Sequence, residues 1–320
     1  MTYRVVHRTR YHYESEVLAS YGETHLHPRE SHGQQTYAST LAIDPFPEHY
    51  RERRDFFGNR ATHFTVLEPH LDLVVTATSL VDVSGRDEAR DSIADIPWEQ
   101  ARDLLREDGG RETIDARQYV LESMLAVRSP EATEYAAPSF TPGRPLGEAL
   151  ADVASRLHAE FEFAPGATTV STPIAEVLEK RAGVCQDFAH LTISALRGLG
   201  LAARYVSGYL ETVPPPGRER LVGADVSHAW VSVFVPRVGW VDVDPTNDQF
   251  VNDRYVTVAW GRDYADVPPL KGVVYTEAKV QDLTVTVDVE TIADDDPALV
   301  AALGDDPGPE DEATGSGSER

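Results

Sequence analysis

The chain holds one cysteine, Cys185, in 320 residues. That excludes an intramolecular disulfide and any zinc or iron–sulfur site built from several thiolates. Lysine is nearly as scarce, occurring only at Lys180, Lys271 and Lys279, so arginine carries almost all the basic charge. Long apolar runs are missing too. None approaches the roughly 18 residues of a membrane-crossing helix, and the opening "MTYRVVHRTRYHY" lacks the apolar stretch of a secretory signal. A soluble, reduced, cytoplasmic protein is the expectation. The net charge of -24 argues against nucleic acid and anionic membranes as partners, since both require basic patches. Residues 294 to 320 contribute about a third of it, with nine carboxylates against one arginine.

What is present reads as an α+β chain. Residues 1–84 form an N-terminal antiparallel β domain: "YRVVHRTRYHY", "STLAIDP" and "LDLVVTATSLVDV" are β-branched and aromatic, and turns such as "FFGNR" interrupt them. Eight of the eleven histidines lie here. The pair His25 and His27 lacks the acidic or thiol company of a metal site, so surface histidines are expected and no metal. Residues 85–145 hold the helical patterns "IPWEQARDLLRED" and "TIDARQYVLESML", then a Pro- and Ser-rich stretch, and read as a linking segment. Residues 146–275 continue with helices at "PLGEALADVASRLHAEFEF" and "PIAEVLEK" and strands at "AARYVSGYLE", "SHAWVSVFV" and "GWVDVD". Within 276–292, "DLTVTVDVE" alternates as one more strand and suits a return to the N-terminal sheet. The acidic, Gly- and Ser-rich residues 293–320 read as a disordered tail.

The cysteine lies in "RAGVCQDFAHLTISALRGLGL". Phe188, Leu191, Ala195, Leu196 and Leu199 make one helical stripe, with Gly200 as terminator. Cys185 then falls at the first helical position, where the helix dipole stabilises a thiolate and free N–H groups can hold an oxyanion. A lone cysteine is more often a small packed hydrophobe than a nucleophile, so a base elsewhere must decide. His190 follows on the same helix, about 140° round from the thiol, and is poorly placed. His158 sits in a helix as ordinary packing or solvent contact. His228 opens a strand that leads by a hairpin into "GWVDVDPTN", bringing Asp244 and its rival Asp242 within reach as orienting carboxylates. A four-residue "PRVG" loop would put His228 and both aspartates on opposite faces; a five-residue loop or a bulge would put them on one. Asp187 and Gln186 read as helix-capping residues. Trp230 either shields the His228 face or is core, as is Trp240. No D-x-D-x-D-G calcium loop is present.

"GVCQDFAHL", "ARYVSGYLE", "SHAWVSVFVPRVGWVDVDPTN" and "GRDYADVPPLKG" resemble the core of bacterial transglutaminase-like proteins. "HRTRYHY", "HPRE", "DFFGN" and "PHLDLVV" resemble the β-rich N-terminal region that accompanies it. The resemblance implies a papain-like core, a helix-borne cysteine packed on an antiparallel sheet, and a Cys-His-Asp triad: Cys185 as nucleophile, His228 as base and acid, and Asp244 rather than Asp242 as orienting carboxylate. It implies thiol-dependent acyl transfer or hydrolysis at amide bonds of a peptide or protein substrate, with no cofactor. A cysteine peptidase or amidase without transferase activity, and a non-catalytic peptide-binding module, stand as alternatives.

Overall fold

The first 24 residues alternate buried Tyr3, Val5, His7 and Thr9 with exposed Arg4, Arg8 and Arg10, the period of a half-buried strand. In the computed structural model they form one long strand, β1 (Thr2–Thr24), and the strands around it build the N-terminal sheet. The structure describes residues 1–85, 91–212, 226–293 and 295–304. After β1 come β2 (Gln34–Asp44), β3 (His49–Arg54), β4 (Arg60–Val66) and β5 (His70–Val83), in the spatial order β2-β5-β1-β4-β3. Two late strands, β13 (Leu270–Thr276) and β14 (Gln281–Thr291), also pair antiparallel with β1, so the chain returns to the sheet where it began.

Between these halves lie α1 (Trp98–Glu107), α2 (Arg111–Ala116), α3 (Pro130–Ala136), α4 (Leu146–Glu160), β6 (Glu162–Phe163), α5 (Ile174–Lys180), β7 (Ala182–Gly183) and α6 (Cys185–Gly198). The strands β8 (Ala203–Leu210), β9 (Val226–Val235), β10 (Gly239–Asp244), β11 (Gln249–Phe250) and β12 (Tyr255–Gly261) follow, in the antiparallel order β11-β10-β9-β8-β12. Helix α6 lies on this sheet and buries every residue from Asp187 to Arg197. The single apolar stripe expected from sequence is thus too narrow: α6 is a central helix packed all round, and its polar residues are paired inside. The Arg197 guanidinium shows how, donating to the carbonyls of Tyr119 (2.9 Å), Ala203 (2.9 Å) and Arg262 (2.6 Å).

The stretch 85–145 does more than link. Trp98, Ala101, Ala126, Ala132, Ala136 and Phe140 belong to the same buried cluster as Phe188, Leu191 and Leu196 of α6. Ser129 caps α3 by accepting the Ala132 N–H (3.1 Å), and Pro130 takes the first position, where its missing N–H costs nothing. Of "TIDARQYVLESML", only the part through Val120 is helical.

The N-terminal sheet also closes the edge of β12. Asn59, fully buried, accepts the Trp260 N–H (3.0 Å) and donates to its carbonyl (2.8 Å). Gln34 does the same for Thr257, at 2.7 Å in both directions. Two side-chain amides stand in for a neighbouring strand. At the C-terminal end, residues Pro297–Gly304 form α7, with Leu299 buried against Leu80 and Ile292, so the tail expected to be disordered from 293 is ordered in part. The rest of it, 305–320, lies outside the described residues. His25 and His27 are buried, at 2% and 1% exposure, which corrects the expectation of surface histidines. Their Nδ1 atoms bond the Pro268 carbonyl (3.2 Å) and the Ser39 hydroxyl (2.7 Å).

Candidate active site

Cys185 is the first residue of α6, after Val184 in extended conformation. Asp187 secures this start. Its Oδ2 accepts the Val184 N–H (2.8 Å) and the Thr168 hydroxyl (2.6 Å), while Gln186 donates to the Val170 carbonyl (3.1 Å). Asp187 is thus the cap expected from sequence, whereas Gln186 ties the helix start to the preceding loop instead of capping it. The glycine before the cysteine has a steric cause: a Cβ on Gly183 would lie 2.8 Å from Asp187 Oδ2. The loop from 164 to 173 and the helix start are thus tied together around the thiol.

The hairpin between β9 and β10 has a three-residue loop, 236–238, shorter than either loop considered from sequence. Pro236 and Arg237, with Arg237 at φ 72° and the Val238 N–H bonded to the Val235 carbonyl (3.0 Å), make a type II turn. The register pairs Gly239 with Val235 and Asp242 with Ser232. Three residues, like five, keep the paired numbers at an even sum, so His228, Trp230, Asp242 and Asp244 share one face. The bulge or longer loop was not needed.

His228 Nε2 donates to Asp244 Oδ2 at 2.7 Å, and both side chains are buried. The Cys185 thiol lies close enough to the same imidazole to bear on its charge. With Nε2 committed to the aspartate, Nδ1 is the ring nitrogen left for the sulfur. Asp242, on the same face, has another partner: it accepts the Trp230 indole N–H at 3.0 Å. Trp230 is fully buried, packed edge-on against Tyr255 and 6.3 Å from the His228 ring. It is core that also floors the His228 face. Gly208 of β8, paired with His228, leaves room for it; a Cβ there would meet the indole at 2.5 Å.

Asp244 is held by more than its histidine. Its Oδ1 accepts the N–H groups of Thr246 (2.9 Å) and Asn247 (3.3 Å), an Asx-type turn around Pro245. Its Oδ2 also accepts from Asn247 Nδ2 (2.7 Å) and the Tyr255 hydroxyl (2.7 Å), which in turn receives the Gln249 amide (2.6 Å). Burial alone would raise its pKa, but the bonds from His228, Asn247 and Tyr255 outweigh that and hold it below the ordinary carboxylate value. The converse holds at His228. Burial lowers its pKa, yet the bond to Asp244 and the neighbouring Cys185 prevail and push it up to about 10.

Asn247 was present in the "DPTN" string and has the spacing of an Asx turn. Tyr255 and Gln249 carry no local mark of this role, because only the pairing of β12 with β8 and of β11 with β10 brings them to Asp244. His158 is exposed, and its Nδ1 donates to the Thr246 carbonyl (2.7 Å), steadying the same loop. His190 is buried beside Tyr205 and accepts the Tyr264 N–H (3.1 Å), so it is neutral and pointed away from the thiol's chemistry; burial lowers its pKa to about 4.

Residues 3–82 match the bacterial transglutaminase-like N-terminal region, and residues 134–245 match the transglutaminase-like superfamily core. The chain belongs to the transglutaminase-like superfamily. An uncharacterized protein of Mycobacterium tuberculosis is 48% identical over 297 residues, spanning 90% of this chain and 92% of that one. A protein-glutamine gamma-glutamyltransferase of Pseudomonas aeruginosa is 32% identical over 123 residues, which is 32% of this chain and 18% of that enzyme. Among solved structures, a Cytophaga hutchinsonii protein provisionally described as a cysteine protease shares the fold, with a TM-score of 0.67, 19% identity and 92% of each chain covered. Among the described residues no helix is long and apolar enough to cross a membrane, and no His, Cys, Asp and Glu side chains group as metal ligands.

Proposed function

We propose that the chain is a thiol acyltransferase or hydrolase acting on amide carbonyls of peptides or proteins. The observation that carries this reading is the buried 2.7 Å bond between His228 Nε2 and Asp244, on an imidazole whose charge the neighbouring Cys185 also influences. An imidazole whose pKa is pushed up to about 10 by a carboxylate and a thiol accepts the thiol's proton readily. The Cys185 thiolate attacks the amide carbonyl, and the Cys185 N–H at the helix start donates to the oxyanion. The imidazolium Nδ1–H then protonates the departing amine, leaving a thioester. Water or a second amine, deprotonated by His228, releases the acyl group. Asp244 keeps the Nε2–H tautomer and offsets the imidazolium charge throughout. The Pseudomonas relative, a glutamyltransferase by name, supports a carboxamide carbonyl as the site of attack. A cytoplasmic setting, where a lone reactive thiol stays reduced, is part of the same reading.

The test is product analysis on a glutamine-containing peptide, with and without a primary amine. Ammonia release with amine incorporation marks a transferase; deamidation or backbone cleavage in both samples marks a hydrolase. Either must vanish in Cys185→Ala. An unmodified peptide under all conditions, with a folded protein, would leave the binding-module alternative standing.

A further inference from the structure

A cavity of about 1020 Å³ opens on the other side of the core sheet from α6, between that sheet, two N-terminal loops around His32 and Phe57, and α2. Cys185, His228 and Asp244 are not among its lining residues. Its size is that of a small-molecule site. Phe57, Tyr119, Trp240 and Trp260 supply an aromatic wall, and Arg204 of β8 projects into it.

Arg204 has no ordinary structural use there. The side chain is only 6% exposed, and its guanidinium is stacked between two indoles, 3.8 Å from the Trp240 ring centre and 3.6 Å from that of Trp260. A second guanidinium, Arg29, lies 3.3 Å from the Trp260 centre, so like charge is held close by. Arg204 Nε has no hydrogen-bond partner among the described residues. The Asp242 carboxylate and the Tyr119 hydroxyl are the polar groups that bear on its charge. A buried cation with an unpaired donor is costly unless something completes it. Stacking also dictates what that can be. With both faces covered and Nε itself shut off from solvent, the two terminal Nη groups are the donors left to the cavity, and their paired N–H edge fits the two oxygens of one planar oxyanion.

We propose that this cavity binds a planar aromatic monocarboxylate, with its carboxylate on the N–H edge of Arg204 and its ring against the aromatic wall. A single negative charge is preferred to a phosphate dianion because Asp242, Glu112 and Asp115 also line the cavity. Arg237, at the exposed tip of the β9–β10 hairpin, adds a second positive charge at the rim. The site is separate from the thiol, so its occupant is a second ligand and does not compete for Cys185.

The experiment uses the full chain and 4-fluorobenzoate, followed by fluorine NMR and tryptophan fluorescence, with 4-fluorobenzamide as the uncharged control. The acid should bind saturably, about tenfold or more tighter than the amide. Arg204→Gln should abolish the difference between acid and amide. Because Arg204 is buried, Arg237→Gln at the exposed rim serves as the second variant and should weaken the acid severalfold in a normally folded protein. Cys185→Ala should bind as the wild type does, and saturating acid should leave the alkylation rate of Cys185 unchanged. The proposal is overturned by equal affinity for acid and amide, by no saturable binding of the acid, or by protection of the thiol. The last outcome would place the ligand in the active site, and none of these outcomes bears on whether Cys185 is a nucleophile.

Discussion

His228 and Asp244 come from adjacent antiparallel strands and meet at 2.7 Å because a three-residue turn, 236–238, sets an even register between them. Asp242 lies on the same face and is spent on Trp230. The two aspartates should therefore respond differently. Asp244→Asn should lower turnover by about three to four orders of magnitude, since an amide cannot hold the reactive tautomer. Asp242→Asn should lower it less than about tenfold, because the asparagine amide oxygen still accepts the indole N–H. Steady-state rates on a shared substrate check both; comparable losses would contradict the division of roles.

Gly208 predicts a steric effect. A Cβ there would fall 2.1 Å from the Val256 carbonyl and 2.5 Å from the Trp230 ring, and backbone cannot step aside as a flexible side chain can. Gly208→Ala should cost about 1–3 kcal/mol of stability and reduce activity as well, because the displaced indole adjoins His228. Thermal melts and rates measured together are decisive, and an Ala variant indistinguishable from wild type would refute the packing described.

The N-terminal sheet should support the core through Asn59. Removing its amide strands the Trp260 N–H and carbonyl in a buried place, at about 1–3 kcal/mol for each unsatisfied group. Asn59→Ala should lower the melting temperature by several degrees, and Asn59→Asp should not restore it, because a carboxylate cannot donate to the Trp260 carbonyl. Denaturant titration of the three proteins tests this.

Three buried histidines set the response to acid. Burial lowers the pKa values of His7, His27 and His190 to about 4, below the unfolded value of 6.5. A group with a depressed folded pKa binds its proton first in the unfolded chain. These three histidines therefore leave stability unchanged above pH 6.5 and lower it as pH falls from there toward 4, by at most about 1.4 kcal/mol per pH unit for each proton. His228, with its raised pKa, instead contributes stability that is full below pH 6.5 and lost as pH rises toward 10. His190→Gln should flatten part of the decline toward acid. Unfolding free energies across this range give the slope, and a wild-type curve flat from pH 6.5 to 4 would rule the assignment out.

Much of this was legible in sequence where pattern and physics agree. The lone thiol after "RAGV", the strand "SHAWVSVFV" and the "DPTN" turn are local signals, and the structure brings those residues together. Other parts carry no such signal. Strand β3, "HYRERR", is exposed along its whole length and shows no alternation. Tyr255 reaches Asp244 only through the pairing of β12 with β8, a tertiary relation with no mark in the sequence around it. Helix α3 is a different case: Ser129, Pro130 and Glu131 spell a helix start, and Pro- and Ser-rich composition masked it.

The central claim is that His228 activates Cys185, and the rate of thiol alkylation tests it most directly. Iodoacetamide should modify wild-type Cys185 rapidly at pH 6, because the neighbouring imidazole, its pKa pushed up to about 10, is a base strong enough to take the thiol's proton. His228→Ala should react about a hundredfold more slowly at pH 6 and recover as pH rises, as an ordinary thiol of pKa about 8.5 does. Equal rates for the two proteins at pH 6 would contradict it.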